Sequence, residues 1–322
     1  MNARGPADGP VVVVAGPTAS GKSALAVALG GALGGVVINA DALQLYRELA
    51  VLTARPTLPD IADVPHRLFG VLGCAEAASA ARWAALARAE ARAAWASGRL
   101  PILAGGTGLY IAVFLDGLAP VPDVPADVRA VVRERLGRLG ARALHAELAR
   151  RDPAGAAALR PSDSQRVARA TEVLEATGRP LSWWRARPRD GGHRGRSLEL
   201  VLEPPRDRLY AACDRRFGRM LAHGAIDEAA AVMGLGLGGD RPCLKALGLG
   251  ELGLYLRGRI SLAEAGRRAR QATRNYAKRQ ATWFRHQLND AVRLAEPRPA
   301  DTLRRARELA ARFAVDRPRS CE

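Results

Sequence analysis

The stretch Val11-Val12-Val13-Val14-Ala15-Gly16-Pro17-Thr18-Ala19-Ser20-Gly21-Lys22-Ser23 decides the fold. Its opening valine run is apolar, β-branched and unbroken, the pattern of a strand buried in a parallel sheet. Gly16 to Ser23 then fits G-x-x-x-x-G-K-[S/T] at every fixed position, and Ser23–Leu33 reads as the helix that such a loop opens. In that setting successive backbone N–H groups and the positive end of the helix cradle phosphate oxygens. Lys22 adds a point charge, and the Ser23 hydroxyl can hold Mg2+. Gly16, Pro17, Thr18, Ala19, Ser20, Gly21, Lys22 and Ser23 are therefore candidate ligands of a diphosphate. The alternative is a glycine-rich turn that fits by accident, and the strand before it and the helix after it weigh against that. Nucleoside triphosphatases, small kinases and diphosphate-using transferases all use such a loop, so the reaction stays open.

Outward from this loop the chain alternates. Val36–Ala40, the Leu68–Leu72 region and Leu100–Ala104 read as further strands, and Ala77–Ser97 reads as a helix stopped by Gly98. The expected fold is α/β, a P-loop-type parallel sheet flanked by helices. Pro120, Pro122 and Pro125 then mark a linker, and from Val128 to about Ser182 only helix signals follow. One candidate is Val128–Arg151. Another is N-capped by Ser162 or Asp163 and ends at Gly178. A basic, turn-rich segment, Arg185–Arg196, precedes a returning strand at Leu198–Glu203. Residues 119–197 thus read as an all-helical domain inserted into a core made of 1–118 and 198–322. Beyond Arg206 the longest helices expected are Asp207–Met233 and Leu262–Gln287, with glycine-rich turns at 234–239. The tail from Glu296 reads as a charged helix or a frayed end.

Charge follows the same division. The 322 residues carry 49 Lys+Arg against 32 Asp+Glu, a net +17. Residues 1–118 carry only +1, residues 119–199 carry +6 and residues 200–322 carry +10. Only Lys22, Lys245 and Lys278 are lysines; an arginine-favouring coding bias swaps one cation for another and leaves the excess unexplained. A nucleic-acid partner is the natural reading of clustered cations, and a solvated basic surface is the bland one. Four cysteines without C-x-x-C spacing suggest neither a metal cluster nor a disulfide framework. No signal peptide and no membrane-length apolar run are read, so a cytoplasmic protein is expected.

Several further blocks occur in a fixed order: Asn39–Tyr46 followed by Thr53-Ala54-Arg55-Pro56, Pro65–Leu68, Gly105–Tyr110, Asp163–Arg166 leading to Arg169 and Glu172, and Thr273–Phe284. Together they resemble the tRNA dimethylallyltransferase family over roughly residues 11 to 285. The resemblance implies transfer of a dimethylallyl group from dimethylallyl diphosphate to N6 of adenosine 37, next to the anticodon. It implies Mg2+, the tRNA anticodon stem-loop as partner, and a monomeric enzyme.

By this resemblance Asp41 is the base that takes the N6 proton, although a Mg2+-associated aspartate is the usual strand-end role in P-loop proteins. Arg216 aligns with an arginine that contacts the diphosphate; otherwise it is a surface arginine. Thr107 touches the diphosphate or the target nucleotide; otherwise it caps a helix. The implied tRNA contacts are Asp41, Ala42, Leu43, Gln44, Thr107, Arg129, Gln165, Arg166, Val167, Ala168, Arg169, Lys245 and Gly248.

Arg267, Arg270, Arg274 and Lys278 form a stripe that could follow a phosphate backbone or pair in part with acidic groups. Trp283 and Phe284 read as packing residues. Three positions depart from the family pattern: Ala42 replaces serine, Leu249 replaces an aromatic, and Gly250 replaces a commonly basic residue. Three rivals remain: a small-molecule kinase, a prenyltransferase of free adenine nucleotides, and a P-loop protein that binds RNA without chemistry.

Overall fold

Val11–Ala15 forms strand β1, fully buried along its length as the valine run requires. The structure is a computed structural model that describes residues 8–57, 61, 63–238, 241–295 and 299–315. In chain order the described strands are β1, β2 (Gly35–Asn39), β3 (His66–Arg67), β4 (Leu100–Gly105), β5 (Ser197–Leu202) and β6 (Val292–Leu294). They build one sheet in the order β3-β2-β4-β1-β5-β6, and every neighbouring pair is parallel. The loops at the carboxyl ends of β1, β2 and β4 therefore open at one edge, where ligands of such sheets bind.

Side chains alternate across the sheet. Val12, Val14, Val37, Ile102, Ala104, Leu200 and Leu202 share a core with Leu25, Ala26 and Leu29 of α1 (Lys22–Leu33). Ala306 and Ala310 of the last described helix, Pro299–Val315, complete it, so of the tail read as a charged helix or a frayed end the described part is a docked helix. Each fully buried leucine contributes about 1.5–3 kcal/mol to this core. Helices α2 (Ala80–Ala96) and α3 (Gly108–Asp116) flank β4 in sequence. Trp83 of α2 is buried, donates Nε1–H to Asn39 O at 2.7 Å and stacks on Tyr110 of α3 at 4.6 Å.

Two sequence expectations for this sheet and its helices need correction. The third strand is His66–Arg67 rather than Leu68–Leu72, because Leu68 (φ 64°) and Gly70 (φ 62°) turn the chain out of extended conformation. Only Leu72 pairs again, in a lone parallel bridge to Tyr46. The expected helix Asp207–Met233 is two helices, Arg206–Ala222 and Ala225–Gly234, divided at Gly224 with φ 91°. The pairing of Val292–Leu294 with β5 carried no sequence expectation.

The chain divides into two compact units, and Asp116–Gly192 is the second. Its helices are α4 (Ala126–Arg151), α5 (Pro153–Ala157), α6 (Ser164–Thr177) and α7 (Leu181–Arg185). The division falls a few residues before the expected boundaries because Leu118 and Asp190 bridge and close the unit on itself. Val132 and Leu144 of α4 pack on Val167 and Ala168 of α6. The Asp163 carboxylate accepts from Arg166 N–H at 3.1 Å, capping α6, and Gly178 ends it with φ 65°. Helix α4 is not continuous: Gly140 (φ 78°, ψ 166°) breaks it into two segments. No described helix is long and apolar enough to cross a membrane.

The remaining helices of the first unit are α8 (Arg206–Ala222), α9 (Ala225–Gly234), α10 (Leu249–Leu256), α11 (Leu262–Gln287) and α12 (Pro299–Val315). A 3₁₀ turn, Pro242–Lys245, precedes α10.

Candidate active site

The phosphate loop leaves β1 at Gly16, where a Cβ would come within 3.0 Å of Leu202 O and Ser20 Oγ. Ala19 (φ 64°) and Gly21 (φ 94°) adopt left-handed conformations, which curls successive N–H groups inward. Gly21 gives α1 no side-chain cap, and the first turn holds no acidic residue, so the helix N-terminus is open to an anion. Lys22 folds back over this loop and donates to Pro17 O at 3.2 Å. It is only 9% exposed. Burial pulls its ammonium down to about 8; the Asp41 charge acts the other way, and Arg216 adds to the lowering.

Arg216 projects from α8. It donates to Thr18 Oγ1 at 3.1 Å and to Thr53 O at 2.5 Å. Burial lowers its pKa from the usual guanidinium value, with Asp41 opposing, and a guanidinium stays charged regardless. Both cations therefore hydrogen-bond neutral oxygens, and among the described residues neither forms an ion pair. Their charge is left for a ligand. Ser23 is exposed on the first turn of α1 without a hydrogen-bond partner among the described residues. That hydroxyl, a hard oxygen donor, would hold Mg2+ at the mouth of the loop.

Asp41 follows β2. Asn39 is fully buried and shapes the turn: its Nδ2 donates to Asp41 O and Leu68 O, and its Oδ1 accepts from Asp41 N–H at 2.8 Å. One carboxylate oxygen of Asp41 accepts from Leu43 N–H at 3.0 Å. The other carries no hydrogen bond among the described residues. Thr107 immediately precedes α3, yet its hydroxyl does not cap that helix; it accepts from Ala42 N–H at 2.9 Å and so faces the Asp41 turn. Burial, and then the Asp41 charge, hold the Tyr276 phenol above its usual value. Tyr110 is also raised, by burial first and then by Tyr46 and Asp41. Half-buried Gln44 donates to Thr53 O at 3.0 Å, on the same carbonyl that receives Arg216.

The Gly105-Gly106-Thr107-Gly108 turn has no room for side chains. A Cβ at Gly105 would lie 2.1 Å from the Ala40 carbonyl, at Gly106 2.2 Å from Gln280 Nε2, and at Gly108 2.1 Å from Trp283. Trp283 is thus a packing residue, as is fully buried Phe284. Gln280 of α11 accepts from Thr18 N–H at 2.8 Å and donates to Gly106 O at 2.7 Å. Sequence reading passed over it, although a polar residue at the helical spacing Ala269, Thr273, Ala277, Gln280, Phe284 interrupts a core stripe.

The loop, Asp41, Thr107 and Arg216 converge at the carboxyl edge of the sheet. Lys245 is exposed at the end of the 3₁₀ turn, and Gly248 is buried with φ 89°. In the helical unit Gln165 and Arg166 are exposed, and Arg169 pairs with Glu172 at 3.6 Å. Val167 and Ala168 point into the unit's core, so their side chains do not belong to its surface. Arg129 is half-buried with Nε unpartnered. The arginine stripe of α11 is partly neutralised: Arg274 binds both oxygens of Asp214 at 2.6 and 2.8 Å, and Arg267 pairs with Glu264.

Stored positive charge around an open loop between β1 and α1 defines a P-loop-type phosphate-binding α/β protein. Comparison with known proteins is more specific. The IPP transferase family model matches residues 44–287, and the isopentenyl transferase model matches residues 9–69. A tRNA dimethylallyltransferase of Rhodospirillum centenum is 53% identical over 97% of this chain and 98% of that protein. The structure of a tRNA isopentenylpyrophosphate transferase from Bacillus halodurans is 32% identical, covers 95% of this chain and 97% of its own, and gives a TM-score of 0.68. A eukaryotic dimethylallyltransferase acting on tRNA shares the fold at TM-score 0.82 and 23% identity, over 97% of this chain and 81% of its own. The chain belongs to the tRNA dimethylallyltransferase family and is a transferase.

Proposed function

We propose that this enzyme transfers the dimethylallyl group of dimethylallyl diphosphate to N6 of adenosine 37 in tRNA, next to the anticodon. The observation that carries the reading is the pair of cations, buried Lys22 and half-buried Arg216, held on neutral oxygens beside Asp41. A diphosphate seated on the loop receives both charges together with the amides of Ala19, Gly21, Lys22 and Ser23, since Thr18 N–H is given to Gln280 and Ser20 N–H to Pro17 O. When bound at Ser23, Mg2+ supplies further positive charge to the diphosphate oxygens. As N6 forms its bond to C1, the C1–oxygen bond breaks and the diphosphate leaves with the electron pair. The N6 proton passes to the free carboxylate oxygen of Asp41. The Thr107 hydroxyl, its acceptor side engaged by Ala42 N–H, keeps its own proton available for the substrate.

On the acceptor side, Asp41, Ala42, Leu43, Gln44 and Thr107 meet the target nucleotide. Gln165, Arg166, Arg169 and Arg129 of the helical unit, with Lys245 and Gly248, contact the surrounding loop. Unpaired anticodon-loop bases suit this task because they can be splayed out and read singly. The enzyme acts as a monomer in the cytoplasm. Incubating the protein with Mg2+, dimethylallyl diphosphate and unmodified tRNA, then analysing nuclease digests by mass, tests the reading. Dimethylallyl adenosine next to the anticodon is expected. Transfer to free AMP with no change in tRNA would overturn it.

A further inference from the structure

Gln280 links the two halves of the site. Beyond the ladder pair Ala15/Gly105, no direct hydrogen bond among the described residues joins the tip of the phosphate loop to the Gly105–Thr107 turn. Gln280, only 5% exposed, spans them through both ends of one planar amide. Its orientation is forced: the flipped amide would set N–H against Thr18 N–H and oxygen against the Gly106 carbonyl. Gly106 admits no Cβ because the amide nitrogen fills that space.

From this amide two chains of contacts diverge. One runs through Thr18, whose Oγ1 accepts from Arg216, to the leaving-group side. The other runs through Gly106 and Thr107, whose N–H donates to Ala40 O and whose hydroxyl accepts from Ala42 N–H, to the Asp41 turn. We infer that Gln280 is a positioning residue that fixes the spacing between the diphosphate cradle and the acceptor base, and so keeps transfer ahead of hydrolysis. The inference rests on the transferase reading above.

The physical reason is the reactivity of an allylic diphosphate. Displacement at C1 needs N6, C1 and the departing oxygen in line, and a misplacement of about 1 Å costs roughly 10²-fold in rate. Once N6 is out of line, water competes. A water oxygen then bonds to C1 as the C1–oxygen bond breaks, the diphosphate takes the electron pair, and a proton goes to solvent. The products are dimethylallyl alcohol and diphosphate. A loosened linkage therefore changes what is made as well as how fast.

The test compares wild type, Gln280→Met and Gln280→Glu, counting dimethylallyl alcohol released per dimethylallyl adenosine formed. Both variants are expected to keep KM for dimethylallyl diphosphate within about threefold, lose roughly 10²-fold in kcat for transfer, and raise the alcohol-to-product ratio at least tenfold. In Gln280→Glu the new carboxyl, when protonated, restores a donor toward Gly106 O, so its ratio should return toward wild type at acid pH while that of Gln280→Met does not. An unchanged ratio in both variants, or activity lost only in proportion to the folded fraction read by thermal melting, would overturn the inference. Failure of wild type to prenylate tRNA would instead defeat the transferase reading.

Discussion

Lys22 offers a direct measure of how the fold stores charge for its ligand. Burial leaves its ammonium titrating at about 8 in the free protein. A bound diphosphate restores the charged form, so binding above that pH must take up a proton. At pH 9 only about a tenth of the free protein carries the charge, and affinity should be about tenfold weaker than at pH 7.5, near 1.4 kcal/mol. Calorimetric titration with the unreactive saturated isopentyl diphosphate, in buffers of different ionisation heat, reads both affinity and proton uptake. Uptake should rise between pH 8 and 9.5 and approach one proton. Lys22→Arg keeps its charge throughout and should bind with a flat profile over that window, which removes any contribution from the ligand's own titration. Affinity constant to pH 9.5 in wild type, or the same slope in Lys22→Arg, would refute the reasoning.

The same depressed pKa has a stability consequence of fixed sign. The folded state disfavours the charged lysine, so folding bears a cost below pH 8 that fades as pH rises from about 8 toward 10.5. Lys22→Met should therefore raise unfolding free energy at pH 7 by up to roughly 3 kcal/mol while abolishing diphosphate binding, as chemical denaturation would show. Asp41→Ala should abolish transfer yet leave tRNA binding near normal in filter assays; near-normal turnover would remove the base assignment. Glu228 accepts from Ala50, Val51 and Leu52 N–H at 2.7–2.8 Å and so holds the turn that offers Thr53 O to Arg216. Glu228→Gln should cost about 2–3 kcal/mol in urea unfolding and lower kcat. Gly140→Ala should cost about 1–3 kcal/mol in the helical unit, read by hydrogen exchange, from backbone strain alone, since nothing lies within 4 Å of its Cβ. Neutralising Arg166 and Arg169 should reduce the slope of log affinity against log salt by about 1.4.

Much of the fold was legible because its signals are local. The valine run, the loop glycines and the Asp163 and Gly178 caps each act within a few residues, and the elements formed where those rules put them. Errors fell where backbone conformation outweighed composition. Leu68 is a good strand former, but its positive φ ends β3 early. Gly224 splits an amphipathic pattern that otherwise runs on across α8 and α9. In the site, motif residues were readable as chemistry, whereas partners supplied by distant helices were not. Gln280, Tyr276 and Glu228 acquire meaning only after α11 and α9 dock, because their contacts cross long sequence separations. The side-chain directions of Val167 and Ala168 were likewise set by helix packing that the block of identities did not reveal.

The bond from Thr18 N–H to Gln280 spans 262 positions of the chain. At translation speeds of about 5–20 residues per second, roughly 13–50 s separate the synthesis of its two ends. The phosphate loop of a growing chain thus exists long before its clamp. A ribosome-bound product stopped short of α11 would carry the recognisable motif and still lack the assembled site. Activity in this family member is therefore a late event of synthesis, and any truncation that removes α11 should silence the enzyme even with every residue of the loop intact.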